Sequence, residues 1–333
     1  MLALLQSNVF SSILSLKPGK KIIFWAKIAV FLALIGYIVH VLRQQPFDWP
    51  LVSAQLRAVE HPERWALGLV VLTPVNWGLE ALKWQILLRR VVPTGFWQAY
   101  QGVLAGVSLG FALPAQLGDT AGRVLSLRTN RAGAIGASLV SGGMQFYVAI
   151  VFGTVAWAQH LRLVSERNNQ TGQWLLVVLT LLSLGGVVFG ICRRPMVSFL
   201  AGRTGLNRFS DYWKVAVQYS DWEIVRALAV AGLRYVVFSG QFYLAMRLVG
   251  LELPLVWAVS GIGLVFLAKT ITPAFNLLSD LGVREAASLW VFAPVGSSAS
   301  VLITVTLTLW VANVLTPVLA GLIWLWKLKL TAE

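Results

Sequence analysis

Charge, cysteine and histidine are all scarce in this chain. Only 12% of its 333 residues are charged, where a soluble domain carries about 25%. That excludes an ordinary water-soluble globule. The single cysteine, Cys192, can form neither an internal disulfide nor a thiolate metal cluster. The three histidines, His40, His61 and His160, are far apart in sequence. No P-loop, GxSxG or HExxH pattern occurs, so the chain is not read as an enzyme, and neither a cofactor nor a metal is expected. Acidic residues are few, 13 against 27 Lys and Arg, for a net charge of +14.

What is present is apolar. Hydrophobic residues make up 57% of the chain, and the mean hydropathy is +0.74. The excess of basic residues therefore reads as loop charge retained on the cytoplasmic side, and not as a nucleic-acid surface. Its natural partner is anionic lipid. Full spans are expected near Ile22–Leu42, Trp65–Leu88, Ala134–Ala158, Trp174–Cys192, Ile224–Val249 and Ala299–Trp326. Residues 1–21 form a separate N-terminal segment, in which Leu2, Leu5, Val9, Ile13 and Leu16 share a helical face suited to the interface. A frayed tail is the alternative there. Arg43-Gln44-Gln45-Pro46 follows the first span without a small-x-small site, so a cleaved signal is not expected. Residues 22–333 are read as one transmembrane domain.

Two further apolar runs are interrupted. One starts at Gly102 and meets Pro114 twelve residues on; Gly118-Asp119 and Arg123 follow. The other starts at Gly261 and meets Pro273 twelve residues on; Ser279-Asp280, Gly282 and Arg284-Glu285 follow. Pro114, Gly118, Pro273 and Gly282 are the expected breaks. Broken apolar segments at corresponding positions in two halves point to a transporter's binding site.

Charge placement orders these elements. Lys17, Lys20, Lys21 and Lys27 before the first span, and Lys327 and Lys329 after the last, put both termini in the cytoplasm. Lys83, Arg89 and Arg90, and the basic loop of Arg193, Arg194, Arg203, Arg208 and Lys214, lie on the same side. Six spans satisfy this only if both broken segments leave on the side they entered. The fold is thus all-α: six full spans plus two re-entrant hairpins in an inverted repeat, with halves at about 65–158 and 224–326. The alternative, eight full crossings, also keeps both ends inside. It places Arg123, Arg128 and Arg131 outside, against the positive-inside tendency.

Each Asp or Arg at the centre of a spanning helix costs about 2.5–3.5 kcal/mol on insertion scales. Asp119, Arg123, Asp280, Arg284 and Glu285 must therefore face inward, towards each other or water. Asp119 and Asp280 read as caps of restarted half-helices. Those N-termini, with Arg123 and Arg284, suit a phosphate-bearing headgroup. Lys269 could meet Asp280 or Glu285. Glu80 and Lys83 can pair along the second span, and are read as an interfacial pair near its cytoplasmic end. Arg234 lies deep in its span. Gln145 and Tyr147 line the cavity or bond between helices. Gly102, Gly106 and Gly110 form a row for close helix packing.

At these breaks the sequence resembles the transmembrane-region family of lysylphosphatidylglycerol synthases, which are flippase-like membrane proteins. The first half carries the resemblance in Pro114, Gly118, Asp119 and Arg123. The second carries it, more specifically, in Pro273 and Leu281-Gly282-Val283-Arg284-Glu285-Ala286-Ala287. Gln116 stands where that family often has Arg, and Ser279-Asp280 where it has Gly-Gly. The resemblance implies lipid translocation between leaflets. Full-length synthases also carry a soluble aminoacyl-transferase domain; no such domain is seen in this sequence, so lysyl transfer is not expected.

The resulting expectation is a lipid flippase-like transporter of the bacterial cytoplasmic membrane. It would move a polar or phosphate-bearing headgroup past Asp119, Arg123, Lys269, Asp280, Arg284 and Glu285. Two alternatives remain: an embedded enzyme acting on a lipid-linked phosphate through Asp119, Asp280 and Glu285, or a partner subunit of a lipid- or glycan-modifying enzyme. Partners are membrane lipids, anionic or phosphate-bearing, with a homo-oligomer or an enzyme partner also considered.

Overall fold

The computed structural model describes residues 47–112, 115–127, 129–164, 170–201, 215–272 and 277–330. The N-terminal segment, the first expected span, Pro114 and Pro273 lie outside them. The described residues are mostly helical, with no strand. The helices are α1 (Trp49–Ala58), α2 (Pro62–Leu88), α3 (Phe96–Ala112), α4 (Ala115–Leu125), α5 (Arg131–Leu163), α6 (Gln170–Ala201), α7 (Asp221–Leu248), α8 (Leu255–Ile271), α9 (Leu277–Phe292), α10 (Ala299–Trp310) and α11 (Thr316–Leu330). A π-turn, Val311–Leu315, joins the last two. Five stretches are long and apolar enough to cross a bilayer: α2, α5, most of α6, α7, and α10 running into α11.

α2 and α7 run antiparallel along their length. Gln241 donates to the Thr73 hydroxyl at 3.1 Å, Arg234 lies 3.3 Å from Glu80, and the Tyr219 hydroxyl donates to the Leu87 carbonyl at 3.0 Å. Beyond the end of α2, Arg90 pairs with Glu223 at 2.8 Å. Glu223 is also half of a capping box with Ser220, which starts α7.

α3 and α4 fold back on each other. A Cβ on Gly118 would strike the backbone of Leu109 and Gly110, and one on Gly122 the backbone of Ala105 and Gly106. Gly102 faces Ser126. As α4 advances, its partners recede along α3, so the pair is a hairpin. The expected glycine row is the groove that receives α4. Past the hairpin the chain returns to where it left α2: Gly133 packs against Val91, and Asn130, whose side chain caps α5, also reaches the Val91 carbonyl.

The second hairpin opens at the other end of α5. Trp257, in the first turn of α8, and Trp290, near the end of α9, both pack on His160. The Ser260 hydroxyl donates to the Ala156 carbonyl at 3.0 Å, while Gly153 faces Leu267, so α8 runs antiparallel to α5. α11 meets α3 in the same manner. Ser108 donates to the Val318 carbonyl at 2.7 Å, Gly321 sits over Leu104, and Trp97 meets Trp324 edge-on. The first hairpin is thus held by α11 and the second by α5.

Candidate functional site

Two of the expected breaks fall elsewhere. α4 already starts at Ala115 and α9 at Leu277, so Gly118 and Gly282 lie inside helices. Asp119 and Asp280 are likewise inside, and neither caps a helix. The physical reason is local: a cap stands just before the first helical turn, and helical geometry has already resumed at Ala115 and at Leu277. Asp119 instead pairs with Arg123 one turn on, at 2.9 Å.

The centre of the polar core is Glu80. Its carboxylate lies 2.8 Å from Lys83, 3.0 Å from Arg123 and 3.3 Å from Arg234. The three cations come from α2, α4 and α7. Glu80 is 4% exposed, Lys83 1% and Arg123 5%. The expected interfacial Glu80–Lys83 pair is therefore corrected to a buried one, because α3, α5 and α7 pack against α2 and the Arg123 side chain reaches in from α4. Lys83 also donates to Gln145 at 3.3 Å. Arg123 lies over the Trp84 ring and Arg234 over the Trp77 ring, at 5.6 and 5.3 Å. These faces give the guanidiniums an attractive, water-excluding wall. Buried charges of this kind persist only when paired and hydrogen-bonded.

One turn from Glu80, Asn76 donates to Asn313 at 3.0 Å, and Trp77 donates to the Asn313 carbonyl at 3.2 Å. Asn313 belongs to the π-turn, a distortion often found at functional positions. Tyr147 instead bonds the Ser183 carbonyl on α6, a helix–helix contact.

The second hairpin brings its own cations to α7. Lys269 and the fully buried Arg284 each lie 5.7 Å from the centre of the Phe238 ring, one turn beyond Arg234. Glu285 follows on α9 and is partly buried. The Asp280 side chain lies outside the described residues. Among the described residues no group of three His, Cys, Asp or Glu side chains is placed to hold a metal ion.

Comparison with protein-family models matches residues 24–321 to the lysylphosphatidylglycerol synthase transmembrane region. The chain belongs to that family. It is an integral membrane protein, and membership associates it with lipid modification or a flippase-like role. No curated protein and no solved structure matches it.

Glu80, Lys83 and Arg234 complete the cluster around the expected Asp119–Arg123 pair. The signal for Glu80 was in the sequence: Asn76, Glu80 and Lys83 recur on one face of an otherwise apolar helix. Its long-range partners were not readable. Asn313 carried no comparable signal, because a π-turn depends on packing.

Proposed function

We propose that this protein is a lipid flippase-like transporter whose buried ionic cluster binds a polar, phosphate-bearing headgroup during passage between leaflets. The observation that carries this reading is the meeting of Lys83, Arg123 and Arg234 on one buried carboxylate, with one cation supplied by a hairpin and another by the opposite half. Arginine guanidinium groups suit phosphate oxygens through paired hydrogen bonds. Intramembrane charges of this cost mark substrate pathways.

The arrangement of the two hairpins supports the same reading. Hairpins that open at opposite ends of α5, each gripped by the other half's long helix, fit an inverted-topology repeat with re-entrant segments. In the membrane, both hairpin tips would then lie towards the middle, and rocking of the halves would expose the cluster to alternate leaflets. Basic residues at the end of α2 and in the α6–α7 connection orient that end, and both termini, to the bacterial cytoplasm.

Translocation of fluorescent phospholipid analogues in proteoliposomes tests this proposal. The purified protein accelerates exchange between leaflets. An Arg123→Ala/Arg284→Ala double variant that reconstitutes normally and transports at the same rate overturns the assigned site.

A further inference from the structure

The cluster has an uneven charge count. Among the described residues, Lys83, Arg123 and Arg234 pair with Glu80 and the partly exposed Asp119, three positive charges against two negative.

The donors are also incompletely used. Among the described residues, Arg123 Nη1 and Arg234 Nε are buried and have no hydrogen-bond acceptor. Both belong to groups already paired with Glu80. A second, singly charged acceptor would satisfy the leftover charge and the leftover donors together. Unsatisfied guanidinium N–H groups at such depth are costly.

Glu80 itself shows what such a ligand looks like. One carboxylate oxygen lies by Arg123, while the other lies by Lys83 and Arg234. Two oxygens sharing one negative charge is also the arrangement at the non-bridging oxygens of a phosphodiester.

We propose that the Glu80 cluster selects lipid headgroups carrying one net negative charge as a phosphodiester, and that Glu80 occupies the phosphate's place when the cluster is empty. This rests on the transport reading above and narrows its substrate class. On entry, the phosphodiester takes over contacts with Arg123 and Arg234, while Glu80 keeps Lys83 and remains inside. The core is then neutral. A zwitterionic headgroup would leave the excess unpaired, and a doubly charged one would overshoot it. Glu80 and Arg234 thereby act as specificity determinants, setting the charge a headgroup must bring.

Native mass spectrometry of the full chain tests this with three lipids of equal acyl length: phosphatidylcholine, phosphatidylmethanol and phosphatidate. Buffered above the second ionisation of a phosphomonoester, they carry no net charge, one negative charge and close to two. The wild-type protein retains phosphatidylmethanol about tenfold better than either of the others. Arg234→Gln moves the preference towards phosphatidylcholine, and Glu80→Gln moves it towards phosphatidate. Wild-type binding that varies less than about twofold across the series overturns the proposal, and needs no variant to fold. Excess dimethyl phosphate, the headgroup without tails, leaves phosphatidylmethanol bound; complete displacement overturns the assignment to a lipid. Charge-selective binding without leaflet exchange in proteoliposomes would sink the transport reading and leave the selectivity measured.

Discussion

Arg234 of α7 lies 3.3 Å from Glu80 of α2, and this contact ties the two helices together inside the polar core. Arg123 approaches the same carboxylate at 3.0 Å from the first hairpin. Glu80 is therefore shared by three structural units: its own helix, the first hairpin and α7. Any motion that moves the hairpin against α7 must break or exchange one of these contacts.

Truncating Glu80 leaves three buried cations with one carboxylate, Asp119, between them. Loss of one partner of a buried pair costs about 3–5 kcal/mol. Glu80→Ala should lower the thermal unfolding midpoint in detergent sharply. Glu80→Ala combined with Arg234→Ala should cost less than the two single changes added together, because the second removes a charge the first left unpaired. Strict additivity across that cycle would mean that the pair does not interact.

Hairpin packing gives a steric test. Gly118 and Gly122 lie against the backbone of α3, where a Cβ has no room and no flexible neighbour can yield. Gly118→Val or Gly122→Val should separate α3 from α4 and destabilise the protein by about 1–3 kcal/mol or more. Gly142→Ala and Gly185→Ala meet open space and should behave like the wild type. Equal thermal midpoints for both groups of variants would contradict the fold-back of α4.

Thiol labelling reads the direction of each hairpin. With Cys192 replaced by serine, single cysteines at Phe96 and Thr129 flank the first hairpin, and those at Leu255 and Ala293 flank the second. All four positions are exposed. In intact cells an impermeant maleimide should modify the Leu255 and Ala293 positions, and should reach the Phe96 and Thr129 positions only after lysis. Labelling of Phe96 and Thr129 from opposite faces would instead make that segment a full crossing.

Much of this architecture was legible because it rests on local chemistry. Apolar length marks the long helices, and Pro114 with its glycine row marks a fold-back. Asp119 and Arg123 are legible as charges too costly for lipid, which must face inward and pair. Glu80 was harder to read. With Lys83 three residues away and Arg89 soon after, it resembles an ordinary helix-end ion pair. Only the approach of Arg123, 43 residues on, and of Arg234 from α7 turns it into the hub. The expected caps at Asp119 and Asp280 failed for a related reason. A polar residue near a proline suits either a cap or the first turns of a helix, and the point where the helix restarts decides between them.

The amide pair of Asn76 and Asn313 yields a prediction of a different kind. The two side chains share one hydrogen bond at 3.0 Å, and they are 1% and 2% exposed. Asn313 also holds Trp77 through its backbone carbonyl, and Trp77 in turn lies against Arg234. Asn76→Ala strands the Asn313 amide in an apolar setting, at a cost of about 1–3 kcal/mol. Asn76→Ala combined with Asn313→Ala removes both amides but leaves the backbone bond to Trp77 in place. The double variant should therefore be at least as stable as Asn76→Ala alone, and it should keep lipid translocation if the pair serves only packing. If the amides instead guide the headgroup towards Arg234, stability recovers in the double variant while transport does not. Unfolding midpoints and flux measured on the same preparations separate these outcomes.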